Sequence, residues 1–262
     1  MSLASDEHAV RAAGIDAVAV KPAEGDVEHA FDLPVDSVVF DYEGHEHVPG
    51  NDFLTALADE KHVAVTTPVR ADGFDPLGDD SAGGALPEGV GRVLVAGNPA
   101  YLTEDESNRA IAPRLGAAAE TYSDAWVGTE GVERIALATG NPQFELLSRR
   151  TERDVRGLRA AGFDGELAVY APTVLSDDAD EILDAVGGYA ARRRPVKRAL
   201  PDDCATDSAA TGRARDVLEK ATRDYALVGS VTEVGARVDA LRDAGVDTIV
   251  GYPATGLASF TR

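Results

Sequence analysis

Three side chains in this sequence combine a reactive type with a telling position, because each comes just after a short apolar run. Lys21 follows residues 16–20, Asp41 follows 37–40, and Arg70 stands shortly after 62–66. A lysine desolvated in a cleft can form a Schiff base or act as a base, an aspartate can accept a proton, and an arginine can grip an anion with two parallel hydrogen bonds. Corresponding places after the apolar runs carry Thr67, Gly97-Asn98, Thr139-Gly140, Tyr170 and Gly229-Ser230. Hydroxyls and free amides of this kind bind phosphate or hydrogen-bond the edge of a planar ring. A simpler duty competes at Gly229-Ser230, since a helix that starts there needs a cap.

Other groups are weaker candidates. All five histidines, His8, His29, His45, His47 and His62, fall in the first quarter of the chain. His45-Glu46-His47, with Asp41 and Glu43 upstream, has no spacing specific to a metal and reads as a solvated acidic loop. Asp72, Asp75, Asp79 and Asp80 do not match a calcium loop, which needs its glutamate at the twelfth position. The single cysteine, Cys204, stands among polar residues with no histidine beside it, which excludes an internal disulfide and gives no nucleophilic pair.

The elements that must position these residues show in a repeated cassette. Val10-Arg-Ala-Ala-Gly14-Ile-Asp16, Leu158-Arg-Ala-Ala-Gly162-Phe-Asp164 and Leu241-Arg-Asp-Ala-Gly245-Val-Asp247 each read as a helix end and a glycine stop, and each leads into an apolar strand that ends near a proline. Runs of this kind predict eight strands, at 16–20, 37–40, 62–66, 92–96, 134–138, 166–169, 226–228 and 248–250. Helical spacing lies between them, and Thr103…Glu106 and Ser230…Glu233 have the capping-box pattern. Eight alternating units in 262 residues predict a single-domain α/β fold, a (β/α)8 TIM barrel, with helical insertions near 98–132 and 171–224 that cover or line the active site. No Gly-x-Gly-x-x-Gly follows the first strand, which argues against a dinucleotide-binding sheet. The strand exits then converge on one rim.

Composition sets the environment. With 46 acidic and 25 basic residues, the formal charge is −21, so nucleic acid is not an expected partner. Four lysines among the basic residues, and aspartate in excess over glutamate, fit a halophilic protein held soluble in concentrated salt, where screening lengths fall to about 3 Å. No leader pattern and no apolar run of about 18 residues occurs, so the expectation is a soluble cytoplasmic protein that does not engage membranes. A small-molecule substrate is the expected partner, and a homo-oligomer remains open.

Two passages resemble the luciferase-like barrel oxidoreductases, which use flavin or deazaflavin. Tyr225-Ala-Leu-Val-Gly-Ser-Val-Thr-Glu-Val-Gly, continuing to Val250, is similar to that family's late helix and following strand. Val169-Tyr-Ala-Pro-Thr-Val-Leu-Ser-Asp-Asp-Ala-Asp-Glu is similar to its substrate-side strand and acidic helix. The resemblance implies a ring site at Thr66-Thr67 and Gly97-Asn98, a coenzyme phosphate near Thr139-Gly140, and deazaflavin coenzyme F-420 or FMN as the cofactor. It implies hydride transfer between that cofactor and a small organic substrate. Two other functions fit the residues: a lyase or aldolase-type barrel with Lys21 or Asp41 as base and Arg70 on an anionic substrate, and a barrel without catalysis.

Overall fold

A computed structural model describes residues 8–72 and 86–261. In chain order the elements are α1 (Ala9–Ala12), β1 (Ala17–Val20), β2 (Ser37–Phe40), α2 (Asn51–Ala58), β3 (His62–Pro68) and β4 (Val90–Val95). They continue with α3 (Glu104–Ser107), α4 (Ile111–Thr121), β5 (Trp126–Gly128), α5 (Glu133–Ala138), β6 (Gln143–Leu146), α6 (Thr151–Ala160) and β7 (Leu167–Leu175). The last are α7 (Ala179–Ala191), α8 (Arg194–Ala199), α9 (Gly212–Tyr225), β8 (Leu227–Gly229), α10 (Val231–Ala244) and β9 (Thr248–Pro253).

Every strand-to-strand ladder is parallel, and eight strands close a ring in the order β1-β2-β3-β4-β5-β6-β7-β9. The fold is therefore a (β/α)8 barrel. β8 stands outside the ring. Ala168–Tyr170 pair with both β6 and β9, and Thr173 pairs with both β8 and β9, so β6 and β8 share one edge of the long strand β7.

Eight strands close the ring as expected, but the described residues form nine, and 226–228, expected in the barrel, fall in β8 outside it. Residues 134–138 form helix α5, while β5 and β6 were read as connection. Ile135-Ala-Leu-Ala is a short apolar run that suits a buried strand or a helix equally, and β5 has only three residues to show any alternation. The helical insertion expected near 98–132 holds two helices, α3 and α4, with the capping box at Thr103 opening the first. The second capping box opens α10 as expected.

Alternation along the strands places Ala17 and Ala19 of β1, Ala64 of β3 and Ala168 of β7 inside the ring with Val39, Val93 and Val250. The small residues leave room for an aromatic column on the other side. Trp126 stacks on Phe144 at 5.6 Å, Phe144 meets Tyr170 at 5.9 Å, and Tyr170 stacks on Tyr252 at 6.4 Å, 8° from parallel. Each contact contributes roughly 0.5–1.5 kcal/mol beyond its buried area. Outside the ring, Val234, Val238 and Leu241 of α10 and Leu54 and Leu57 of α2 pack on the outward strand residues.

The repeated cassette proves to be a clamp. Its glycines take left-handed backbone, with φ of 76° at Gly14, 90° at Gly162 and 113° at Gly245. At Gly245 the polypeptide turns from α10 into β9 with Arg159 packed against it. Asp247 accepts from the Leu167 amide at 2.8 Å and pairs with Arg159 at 2.5 Å. Asp16 accepts from the Ile249 amide and pairs with Arg242, both at 2.8 Å. Arg11 repeats the pattern toward Asp36 at 3.3 Å. Each arginine comes from the helix before one strand and holds the aspartate before the neighbouring strand, so clamps follow the order β7, β9, β1, β2 around the N-terminal end of the barrel.

Candidate active site

At the other end of the barrel, Lys21, Asp41, Tyr170 and Tyr252 meet. Lys21 and Asp41 directly follow β1 and β2, while Tyr170 and Tyr252 belong to the paired strands β7 and β9, which is why residues 129 positions apart touch: Tyr170 donates its phenolic hydrogen to Asp41 at 3.1 Å. Tyr252 lies against Tyr170, its hydroxyl is hydrogen-bonded to Glu24, and the Lys21 ammonium sits 4.4 Å from the Tyr252 ring centre. Lys21 also pairs with Glu24 at 3.0 Å.

The electrostatics follow from this packing. Burial of its carboxyl pushes Asp41 up to about 7; the Tyr170 hydrogen bond and the Lys21 charge pull the other way, and Glu43 and Glu24 add to the rise. Tyr170 is held well above the ordinary phenol range by burial and by Asp41, and Tyr252 rises for the same first reason, helped by Glu24. Partial burial pushes Glu24 up, but hydrogen bonds with Tyr252 and Lys21 outweigh it and leave its carboxyl below the usual range. The mouth thus holds one carboxylate poised near neutral pH beside one that stays ionised. Such a split suits proton transfer.

The remaining expected residues have other duties. Each nitrogen of Arg70 donates to a backbone carbonyl, of Ala96 at 2.5 Å, Ser107 at 2.6 Å and Gly97 at 2.8 Å, so this buried guanidinium ties the β3 exit to the β4–α3 loop and does not reach for a substrate. Thr66 accepts from the Tyr42 amide, and Thr67 donates to Val65. Gly97 has no room for a side chain because a Cβ would lie 2.8 Å from Leu102, and Asn98 accepts from the Ala100 amide as the cap of a short turn. Ser230 shares the Glu233 carboxylate in the capping box, and Gly229 lies against the same group. Thr139 and Gly140 are misplaced by the sequence reading: they end helix α5 ahead of β6, at the N-terminal end of the barrel, opposite Asp41.

The insertion after β7 does reach the mouth. Tyr189 of α7 lies near enough to Tyr170 to add to its raised pKa, and Arg193, 4.5 Å from the Tyr189 ring centre, pairs at 3.1 Å with Glu130 just past β5. Neither Tyr189 nor Arg193 stands out in the sequence, because both lie in a helical segment with no strand exit. A cavity of about 440 Å³ lies within the insertion itself, bordered by Arg192, Lys197 and Cys204. His45–His47 form a single exposed turn in which His47 meets Glu46 at 3.7 Å, and no cluster of metal-ligand type occurs among the described residues. Asp75, Asp79 and Asp80 lie outside the described residues.

A model of a family of unknown function, DUF7388, matches residues 10–260. The chain belongs to that family. No curated protein matches the DUF7388 chain significantly in sequence. Two solved structures share its fold. An F420-dependent secondary alcohol dehydrogenase in complex with an F420–acetone adduct superposes with a TM-score of 0.63 at 12% identity, over 94% of this chain and 96% of that one. The monooxygenase RslO1 from Streptomyces bottropensis superposes with a TM-score of 0.52 at 18% identity, over 95% and 97%. At these identities the likeness establishes the barrel alone.

Neither Thr139-Gly140, assigned by resemblance to a coenzyme phosphate, nor Ser230 and Arg70, read as anion-binding from their types and positions, fits that group. Thr139-Gly140 face the wrong end, Ser230 is already satisfied by a carboxylate that would repel an anion, and Arg70 is bound to carbonyls. Around Asp41 the mouth carries Glu24 and Glu43 against Lys21.

Proposed function

We propose that the DUF7388 chain is an enzyme whose C-terminal mouth moves a proton at a hydroxyl or carbonyl group of a small organic substrate, as an oxidoreductase of the luciferase-like kind. The observation that carries this reading is Asp41: a carboxyl pushed up to about 7, hydrogen-bonded by Tyr170 and floored by the end of the aromatic column. Asp41 takes the hydroxyl proton or returns it, which every alcohol–carbonyl interconversion requires. Tyr170 holds the carboxyl in place. Lys21, paired with Glu24 and lying over the Tyr252 ring, stabilises negative charge on the substrate oxygen, a role that fits its ion pair better than Schiff-base formation does.

Coenzyme F-420 or FMN is the redox partner that this function calls for, and it would supply the hydride chemistry when bound. The place of Thr139-Gly140, at the end of the barrel opposite Asp41, favours a second reading, in which Asp41 is the base of a cofactor-free lyase. One experiment separates the two. Purified protein, folded by circular dichroism in concentrated salt, is titrated with coenzyme F-420 and with FMN while cofactor fluorescence is followed. Saturable quenching supports the oxidoreductase; its absence with both cofactors overturns it and leaves the lyase.

A further inference from the structure

The N-terminal end of a barrel ordinarily serves stability. Here it holds a cavity of about 260 Å³ between β2, β3, β4 and β5, bordered by Ser37, Val39, His62, Ala64, Gly91 and Trp126 together with Asp124. The far half of this mouth is closed by a brace: Trp126 donates to Glu166 at 2.9 Å, and Glu166 accepts from Thr248 at 2.6 Å. That brace and the Phe144 stack fix the indole, so its plane stands still beside the opening.

Among the described residues, Asp124 is the one carboxylate that borders the cavity. Asp124 makes no ion pair among the described residues and accepts a single 3.4 Å hydrogen bond from Ser123. Arg92 also borders the cavity, but it alternates with the inward Val93, and its guanidinium lies 4.5 Å from the Tyr122 ring centre on the outer side. An uncompensated carboxylate, an indole and apolar walls are what a small organic cation meets in a recognition site: the ammonium goes to the carboxylate and the ring, and the carbon body to Val39 and Ala64. The volume is below the roughly 300 Å³ at which drug-sized pockets begin, so the ligand is small.

We propose that this N-terminal mouth binds a small organic cation with an apolar body. Trp126 is the chain's sole tryptophan, so its emission reports on this site alone. In phosphate buffer at fixed ionic strength, benzylamine, benzyl alcohol and benzoate are titrated separately against the intact protein. Benzylamine should change Trp126 emission saturably and bind at least tenfold more tightly than benzyl alcohol, and benzoate should not bind. Asp124→Asn should weaken benzylamine at least tenfold. Gly91→Val should abolish binding with an unchanged circular dichroism spectrum, since a Cβ there meets Val63 and Ala64 at ordinary contact distances of 3.5 and 3.7 Å. Asp41→Asn, at the other end of the barrel, should leave it unchanged. Equal affinity for the alcohol or the acid overturns the proposal. So does loss of benzylamine binding in Asp41→Asn, or a flat titration confirmed by calorimetry.

Discussion

At the scale of single residues, Asp41 makes opposite demands on stability and activity. Its carboxyl prefers the protonated form in the folded barrel, at about 7 against an ordinary 3.8, so the folded state binds more protons than the unfolded chain between those values. Its contribution to stability therefore falls as pH rises through that window and is lowest above 7. Asp41→Asn should melt higher than the parent at pH 8, with the two converging below pH 4 in a thermal scan, and should lower kcat by about 10²–10⁴ if Asp41 is the proton-transfer group. Tyr170→Phe removes a hydrogen bond that lowers the Asp41 pKa. The ascending limb of its kcat/KM profile should accordingly move to higher pH; a shift to lower pH would contradict the assigned contact.

At the scale of elements, the glycine of each cassette is held by conformation rather than by lack of space alone. Gly245→Ala should cost about 1–3 kcal/mol in denaturant unfolding, because a left-handed φ of 113° is combined with a Cβ only 2.7 Å from the Arg159 side chain. The cassette was legible as a helix stop and strand start because backbone chemistry writes glycine at such turns. Its second function was not legible: Asp16 and Asp247 find their partners on other strands, and no local pattern names a partner 80 or more positions away. The mouth divides in the same way. Lys21 and Asp41 stand at true strand exits and follow from the runs before them, whereas Tyr170, expected just past a strand ending at 169, lies inside β7, which runs on to Leu175. Thr139-Gly140 are misread because a four-residue apolar run fits either periodicity; Tyr252 is legible at the exit of the third cassette, while Glu24 and Tyr189 are not, because only the closed ring brings them to the mouth.

At the scale of the whole molecule, a charge of −21 spread over one barrel is a standing repulsion that salt relieves, as screening shortens from about 10 Å to about 3 Å between 0.1 M and 1 M. The melting temperature should rise from 0.1 M to 2 M KCl, and a fall would mean that the exposed arginine–aspartate clamps outweigh the net charge. Those clamps also bear on how the barrel forms. The ring closes where β1 meets β9, in a ladder of two register pairs, Ala17 with Val250 and Val18 with Gly251, reinforced by Arg242 on Asp16. These partners lie at opposite ends of the sequence, so nearly the whole chain is the loop that must close before the contact rewards it. If this seam is the last contact to form, weakening it with Arg242→Gln should leave the folding rate almost unchanged and speed unfolding. The last ladder to close would then be the first to open, making the working lifetime of the barrel a property of two residue pairs and one arginine.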